Sequence, residues 1–283
     1  MKHSALLTGC ACALALLGPA SAQVLLLDFG PTTAIDDAGA GNSLTNSPYH
    51  VVNGSFANTG WNTRGIADAA AGTLVWSTGA TAAGVSLNIG ATTDTGTLLG
   101  LNNAPGNSGA LGTTINSGVY ANTSVAKDAI YTGTSGNTRA VGAQIGGLSA
   151  GTYDIYLTGR NTNISTAHVQ NFYVGKSAAA TNFNFSGYTT GSLSFGNTTT
   201  SATSAWVQGA NYVKLSIVLS SGDYLNLAVQ GGTGETRGFL GMVEIVGTSA
   251  IPEPAAVAFF TGLACLLGTA GIALRRRRRN PAA

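Results

Sequence analysis

Cysteine is absent from the long middle of this 283-residue sequence. The three cysteines, Cys10, Cys12 and Cys265, all lie in apolar stretches near the two ends. A folded domain between those stretches therefore holds neither disulfide bonds nor thiolate metal ligands. Its stability has to come from a packed core, which a chain of about 230 residues can supply as one domain.

Charged residues are also scarce, since only 8% of the chain is Asp, Glu, Lys or Arg, against roughly 25% in an average soluble protein. Five of the thirteen basic residues form one run at residues 275–279. Residues 23–251 contain seven basic and ten acidic side chains. This acidic balance predicts no nucleic-acid-binding face. Histidine is rare as well, because residues 23–250 contain only His50 and His168, which argues against a histidine-rich catalytic metal site.

The first 22 residues have the pattern of a cleaved signal peptide. A basic N-terminus precedes an apolar run at residues 5–17, and small residues follow at positions 20–22. This pattern predicts cleavage between Ala22 and Gln23. One alternative stays open, because residues 7–10 have the composition of a lipoprotein signal, which would make Cys10 a lipid-attachment site.

Residues 255–274 are apolar and carry no charge. As a helix with a rise of 1.5 Å per residue, this segment would span about 30 Å, the thickness of a bilayer's hydrocarbon core. It therefore predicts a transmembrane helix. The basic run that follows should stay in the cytoplasm and stop transfer, which places the bulk of the chain outside. The run consists of Arg275, Arg276, Arg277, Arg278 and Arg279.

A Pro-Glu-Pro motif, formed by Pro252, Glu253 and Pro254, stands directly before this apolar segment. The two prolines remove backbone donors and favour an extended, accessible conformation. The motif, the helix and the basic tail together resemble the C-terminal sorting signal of PEP-CTERM bacterial surface proteins. The resemblance covers about residues 251–279. It implies recognition by an exosortase, a membrane-bound transpeptidase-like enzyme, and a link to exopolysaccharide or biofilm matrix.

Residues 23–250 alternate short apolar runs with Gly, Asn, Ser and Thr, which is typical of an all-β domain. Tyr153, Ile155 and Leu157, for example, share one face of a strand. We expect a jelly-roll-like β-sandwich, with a hairpin turn at residues 220–223. A β-solenoid at residues 32–138 is the alternative. The predicted strands cover residues 23–29, 74–77, 85–89, 139–145, 151–157, 168–175, 183–188, 212–219, 224–229 and 239–246.

The strand rhythm of residues 151–246 also resembles the galactose-binding-like sandwiches of carbohydrate-binding modules. The sequences Tyr-Asp-Ile-Tyr at residues 153–156 and Asn-Phe-Tyr-Val at residues 171–174 contribute to this resemblance. Sugar sites combine an aromatic platform with planar polar side chains. The candidate residues of these types are Trp61, Arg64, Arg160, Asn161 and Trp206.

No cofactor is expected, although a structural calcium ion is an alternative at Asp36, Asp37 and Asn42. We favour a solvated acidic turn over a calcium site for these three residues, because the loop lacks a spaced series of ligands.

The sequence therefore predicts an exported protein of the cell envelope, outer surface or extracellular matrix, transiently anchored in the inner membrane. Its exterior domain is interpreted as a non-catalytic, polysaccharide-associated sandwich. A secreted polysaccharide-active enzyme is one alternative, for which Asp154 and Glu244 are the only carboxylate pair that we can nominate. A purely structural or adhesive coat protein is the other alternative.

Overall fold

The computed structural model describes residues 23–30, 47–53, 60–93, 100–104, 117–120, 125–132, 139–161, 164–178, 194–200 and 204–250. They contain a short helix, α1 (Pro48–Asn53), a 3-10 turn (Gly118–Tyr120) and thirteen strands. The strands are β1 (Val24–Phe29), β2 (Trp61–Arg64), β3 (Ser86–Thr93), β4 (Leu101–Ala104), β5 (Ala129–Thr132), β6 (Arg139–Gly146), β7 (Gly151–Thr158), β8 (Gln170–Ser177), β9 (Ser194–Thr198), β10 (Val213–Leu219), β11 (Tyr224–Gly231), β12 (Phe239–Leu240) and β13 (Met242–Ala250).

Ten of these strands form two five-stranded sheets. The order in the first sheet is β10-β7-β13-β1-β2, and the order in the second sheet is β3-β6-β11-β8-β9. A small third sheet contains β12-β5-β4. Paired strands are antiparallel except for β1 and β2, which run parallel. The predicted all-β fold is confirmed.

The inward-facing side chains of both large sheets share one hydrophobic core. Tyr153, Ile155 and Leu157 of β7 point into it, as their alternation predicts. Leu225 and Leu227 of β11, in the second sheet, belong to the same cluster. Because one core is lined by both sheets, the described residues form a β-sandwich. The assignment to a jelly roll in particular stays a prediction.

The turn at residues 220–223 joins strands of different sheets. It is tight, because Asp223 N donates to Ser220 O at 3.1 Å and Gly222 has a φ of +83°. However, β10 pairs with β7, whereas β11 pairs with β6 and β8. The predicted hairpin is therefore wrong: the chain crosses from one sheet to the other at this turn.

Two further expectations need correction. Residues 74–77 form no strand, and Val75 makes only an isolated bridge with Thr81. The β-solenoid alternative is wrong for β2 and β3, because β2 extends the first sheet and β3 extends the second. The strand predicted at residues 183–188 lies outside the described residues.

Both ends of the described domain lie at the same end of the first sheet. β1 and β13 are antiparallel, with Val24 opposite Val246, and Gly247 N donates to Gln23 O at 2.7 Å. The Gln23 side chain is also held, because its Nε2 donates to Ser149 Oγ at 3.2 Å and its Oε1 accepts from the Tyr153 hydroxyl at 3.1 Å. The residue predicted to begin the mature chain is therefore part of the folded domain.

The chain divides into two units, Met1–Ala250 and Ile251–Ala283, and all described residues belong to the first. Within the described part of the chain, no helix has the length and apolar character needed to cross a bilayer. The predicted signal peptide at residues 1–22, the sorting motif, the apolar segment at residues 255–274 and the arginine run lie outside the described residues.

Candidate functional site

The outward side of the first sheet carries a second hydrophobic cluster, separate from the core. On β1, the alternation that sends Leu25 and Leu27 inward leaves Leu26 facing out. Leu26 lies opposite Glu244, and Glu244 lies opposite Tyr156 on the next strand, so these outward positions are neighbours. The cluster contains Val24, Leu26, Tyr156, Tyr212 and Val246, with the half-buried Tyr49, Trp61 and Trp206 packed against it.

Five members of this cluster are aromatic, and we call Tyr49, Trp61, Tyr156, Trp206 and Tyr212 the aromatic face. Ring centroids are 5.7 Å apart between Tyr49 and Tyr156, 6.1 Å between Tyr156 and Tyr212, and 6.3 Å between Tyr212 and Trp206. These separations fall in the range in which aromatic pairs attract one another. Four of the five rings therefore form a continuous row.

Trp61 is positioned by the edge strand β2. This strand pairs in parallel with β1 and places Trp61 beside Leu26. The side chain of the next residue, Asn62, pairs with the backbone of Val75 as a neighbouring strand would. Its Nδ2 donates to Val75 O and its Oδ1 accepts from Val75 N, both at 2.8 Å. The Trp61 ring stacks on His50 of α1 with a centroid distance of 6.2 Å.

Trp206 is positioned by a loop that Asn211 organises. Asn211 Oδ1 accepts from Val207 N at 2.9 Å, and Asn211 Nδ2 donates to Ala205 O at 3.0 Å. The Thr158 hydroxyl at the end of β7 donates to Asn211 O at 2.7 Å. The loop is therefore tied to the sheet, which fixes the half-buried indole next to Tyr212.

Glu244 holds α1 against the outward side of the sheet. Its carboxylate is completely buried and accepts from Ser47 Oγ at 2.5 Å and from Tyr49 N at 2.9 Å. Ser47 Oγ also lies 2.5 Å from His50 Nδ1. Because the single serine proton is donated to Glu244, His50 Nδ1 has to be the donor in this contact. Glu244 thus determines where Tyr49 and His50 lie.

The other pair of predicted sugar-site residues, Arg160 and Asn161, directly follows β7 and lies in a buried polar network. Each is only 2% exposed. Arg160 lies 5.3 Å from the ring centre of Tyr120, and Asn161 Nδ2 donates to Glu235 Oε2 at 2.6 Å. Glu235 also accepts two hydrogen bonds from the Arg237 guanidinium. Arg160 and Asn161 are thus buried and are not part of the aromatic face, although Trp206 packs against Tyr120, the ring that Arg160 covers.

His168 belongs to the same network and is neutral. It is 2% exposed, and its Nε2 accepts the backbone N–H of Asn161 at 3.2 Å, which requires an unprotonated nitrogen. Burial and, after it, the positive charge of Arg160 lower the pKa of His168 to about 4.

This histidine predicts a loss of stability in mild acid. The unfolded chain binds a proton at His168 near pH 6.5, whereas the folded chain binds it only near pH 4. Stability present above pH 6.5 is therefore lost as the pH falls toward 4, by about 3 kcal/mol for this residue alone. Urea unfolding at pH 7 and pH 4 measures the change. In a His168→Gln variant, whose amide oxygen can still accept from Asn161 N, the pH dependence should shrink by that amount; an unchanged dependence would contradict the assignment.

The remaining candidates are dispersed. Arg64 Nη2 donates to Ala67 O and Asp68 O at 3.3 and 2.9 Å, so this side chain supports the loop after β2. Asp36, Asp37 and Asn42 lie outside the described residues. Among the residues that are described, no group of three or more His, Cys, Asp or Glu side chains could hold a metal ion.

The carboxylates nominated for an enzyme, Asp154 and Glu244, lie on adjacent strands with both side chains outward. They are not directly opposite one another, because Asp154 faces Val246 and Glu244 faces Tyr156. Both oxygens of Glu244 already accept hydrogen bonds, and Asp154 pairs with Lys214. Each carboxylate is therefore engaged by neighbouring donors of the protein.

Sequence reasoning singled out Trp61 and Trp206 but not the three tyrosines of the aromatic face. A signal was present for Tyr156 and Tyr212, because strand alternation turns both away from the core. Tyr49 had no such signal, since it lies on a six-residue helix whose position depends on Glu244.

The described residues thus define an all-β sandwich with an aromatic cluster on the outer side of one sheet. No protein-family model matches this chain, and no curated protein matches it either. The solved structure of TmCBM61 in complex with β-1,4-galactotriose is similar at 11% sequence identity and a TM-score of 0.25, over 56% of this chain and 86% of that chain. A similarity of this size indicates neither a shared fold nor a shared ligand.

Proposed function

We propose that this chain is an exported surface or extracellular-matrix protein whose sandwich binds polysaccharide, without catalysis, through the aromatic face. Export and sorting are supported by the predicted signal peptide and by the PEP-CTERM-like signal at residues 251–279. The proposed partners are an exosortase-type enzyme, the inner membrane during sorting, and exopolysaccharide.

The observation that carries the binding proposal is the gathering of aromatic rings on one side of one sheet. Trp61 and Trp206 are far apart in the sequence, yet both pack against the same cluster. Sugar rings bind by stacking their C–H faces on aromatic side chains, with nearby polar groups that fix their orientation. Tyr49, Trp61 and Trp206 are each partly exposed, so they can present ring surface to such a ligand.

Substitution of the two tryptophans tests this proposal. Trp61→Ala and Trp206→Ala should each weaken binding to a polysaccharide by up to about tenfold, because each loses a stacking surface worth on the order of 1.5 kcal/mol. Trp61→Phe, which keeps a ring, should retain most of the affinity. Affinity electrophoresis against a panel of soluble neutral and acidic polysaccharides measures the effect.

The third tryptophan provides a matched control. Trp76 packs against the main core and not against the aromatic face, so Trp76→Ala should reduce thermal stability and leave polysaccharide affinity unchanged. An equal loss of affinity in Trp76→Ala would contradict the proposed surface. Turnover of any polysaccharide by the wild type would favour the enzyme alternative, and binding to none would favour the coat-protein alternative.

A further inference from the structure

A pair of opposite charges lies directly beside the aromatic face. The register of β7 and β10 places Lys214 opposite Tyr156 and Ser216 opposite Asp154. Lys214 Nζ lies 2.7 Å from Asp154 Oδ2, and the Ser216 hydroxyl donates to Asp154 Oδ1 at 2.5 Å. The same ammonium group lies 5.6 Å from the centre of the Tyr156 ring.

This ion pair is accessible and stays ionised at neutral pH. The side chains of Lys214 and Asp154 are 37% and 17% exposed. Burial opposes ionisation of Asp154, but hydrogen bonds from Lys214 and Ser216 outweigh it and lower the pKa of the carboxyl. The hydrogen bond to Asp154 raises the pKa of Lys214. The pair therefore offers donors and acceptors but adds no net charge to the surface.

Part of the aromatic face and the ion pair lie along the edge strand β10 and its neighbour β7. Tyr212, Lys214 and Ser216 occupy alternate positions, so their side chains point to the same side, and successive positions of this kind are about 7 Å apart. Trp206 contacts Tyr212 edge to face, with an interplanar angle of 75°. The partly exposed indole of Trp206 is thus followed along β10 by the charged donor Lys214, and the acceptor Asp154 lies beside it on β7.

We propose that Trp206, Tyr212, Lys214 and Asp154 form a subsite for an uncharged pyranose, so that the aromatic face prefers neutral over acidic polysaccharide. This inference rests on the proposed function and names its ligand class. Sugar hydroxyls both donate and accept hydrogen bonds, which matches the carboxylate lone pairs of Asp154 and the remaining N–H of Lys214, whose other two donors face Asp154 and Tyr156. A uronic acid carboxylate that approached Lys214 would also approach the negative charge of Asp154, which repels it.

The experiment compares neutral polysaccharides with their own carboxymethylated derivatives. The full-length chain is titrated by calorimetry with dextran, β-1,3-glucan and β-1,4-galactan, each with and without carboxymethyl groups. The wild type should bind at least one neutral polymer more tightly than its carboxymethylated form. Asp154→Asn should bind that neutral polymer about tenfold more weakly, because a charged hydrogen-bond acceptor is lost. It should also lose the preference for the neutral form, because Lys214 is then free to bind carboxylates.

The pair Lys176 and Asp223 supplies a matched control, since its N–O distance is also 2.7 Å and Lys176 lies on β8 in the second sheet. Asp223→Asn should leave both affinities unchanged. Equal or tighter binding of the carboxymethylated form by the wild type would overturn the inference, and so would equal losses in Asp154→Asn and Asp223→Asn. In those two cases tryptophan-dependent binding would still support the proposed function, whereas binding to no polymer would refute both. Thermal unfolding of each variant verifies that it is folded.

Discussion

Replacing Pro252 and Pro254 by alanine should leave the protein exported but retained in the membrane with its C-terminal segment intact. Alanine restores two backbone donors and removes the bias toward extended structure. The motif could then join the apolar helix predicted at residues 255–274 and escape the processing enzyme. The wild type should be found without that segment at the cell surface or in the medium.

Replacing the arginine run at residues 275–279 by neutral residues should disturb sorting in a different way. Each arginine costs roughly 2.5–3.5 kcal/mol near the centre of a membrane helix and less at its end. Removing all five therefore eliminates most of the barrier that keeps the tail in the cytoplasm. The uncut chain should pass through the membrane or insert in the opposite orientation.

Cell fractionation combined with intact-mass measurement separates these two outcomes. A Glu253→Gln variant, which keeps both prolines, shows whether the processing enzyme also recognises the acidic side chain. Wild-type processing in both the proline and the arginine variants would mean that this C-terminus is only an anchor. The PEP-CTERM interpretation would then have to be abandoned.

Glu244→Ala should destabilise the folded domain by about 3–5 kcal/mol, because it removes the charged acceptor of two hydrogen bonds, one from the buried Ser47 Oγ and one from the part-buried Tyr49 N. Glu244→Gln should cost less, since its amide oxygen can replace one of the two acceptors. Urea unfolding measures both losses. Tryptophan fluorescence should also change, because α1 carries the His50 ring that stacks on Trp61.

Asp223→Asn serves again as the comparison for this effect. Its partner Lys176 is 42% exposed, and exposed ion pairs contribute at most about 1 kcal/mol. The carboxylate of Asp223 also accepts from Ser220 N at 2.8 Å, a hydrogen bond that the amide oxygen of asparagine can keep. If Glu244→Ala were no more harmful than Asp223→Asn, Glu244 would not be the residue that holds α1 in place.

The individual strands were predictable from the sequence because alternation depends only on local residue order. The strands β1, β6, β7, β8, β10 and β11 lie where the pattern predicted them, within about two residues at each end. Strand partners were not predictable in this way. The runs on either side of residues 220–223 have the alternation and the turn residues of a hairpin, and only the competing partners β7, β6 and β8 separate them into two sheets.

The candidate site was predictable only in its residue types. Trp61 and Trp206 could be named as aromatic platforms, but their common cluster depends on the register of β1, β13 and β7, which no local pattern encodes. Arg160 and Asn161 follow a strand and were therefore expected in a loop. Instead, Asn161 is held by the nearby His168 and by Glu235 from a distant part of the chain. Arg160 donates to the carbonyl oxygens of Ile164 and Thr166.

The pairing of β1 with β13 has a consequence for the timing of folding. Under the proposed export route the N-terminus crosses the membrane first, and β1 can meet its parallel neighbour β2 early. Its antiparallel partner β13 follows roughly 220 residues later, a contact order high enough to make closure slow. The centre of the first sheet therefore cannot be completed until the last strand has emerged. On that route, the first sheet would be completed only at the end of translocation, and the earlier strands would wait outside without their central partner.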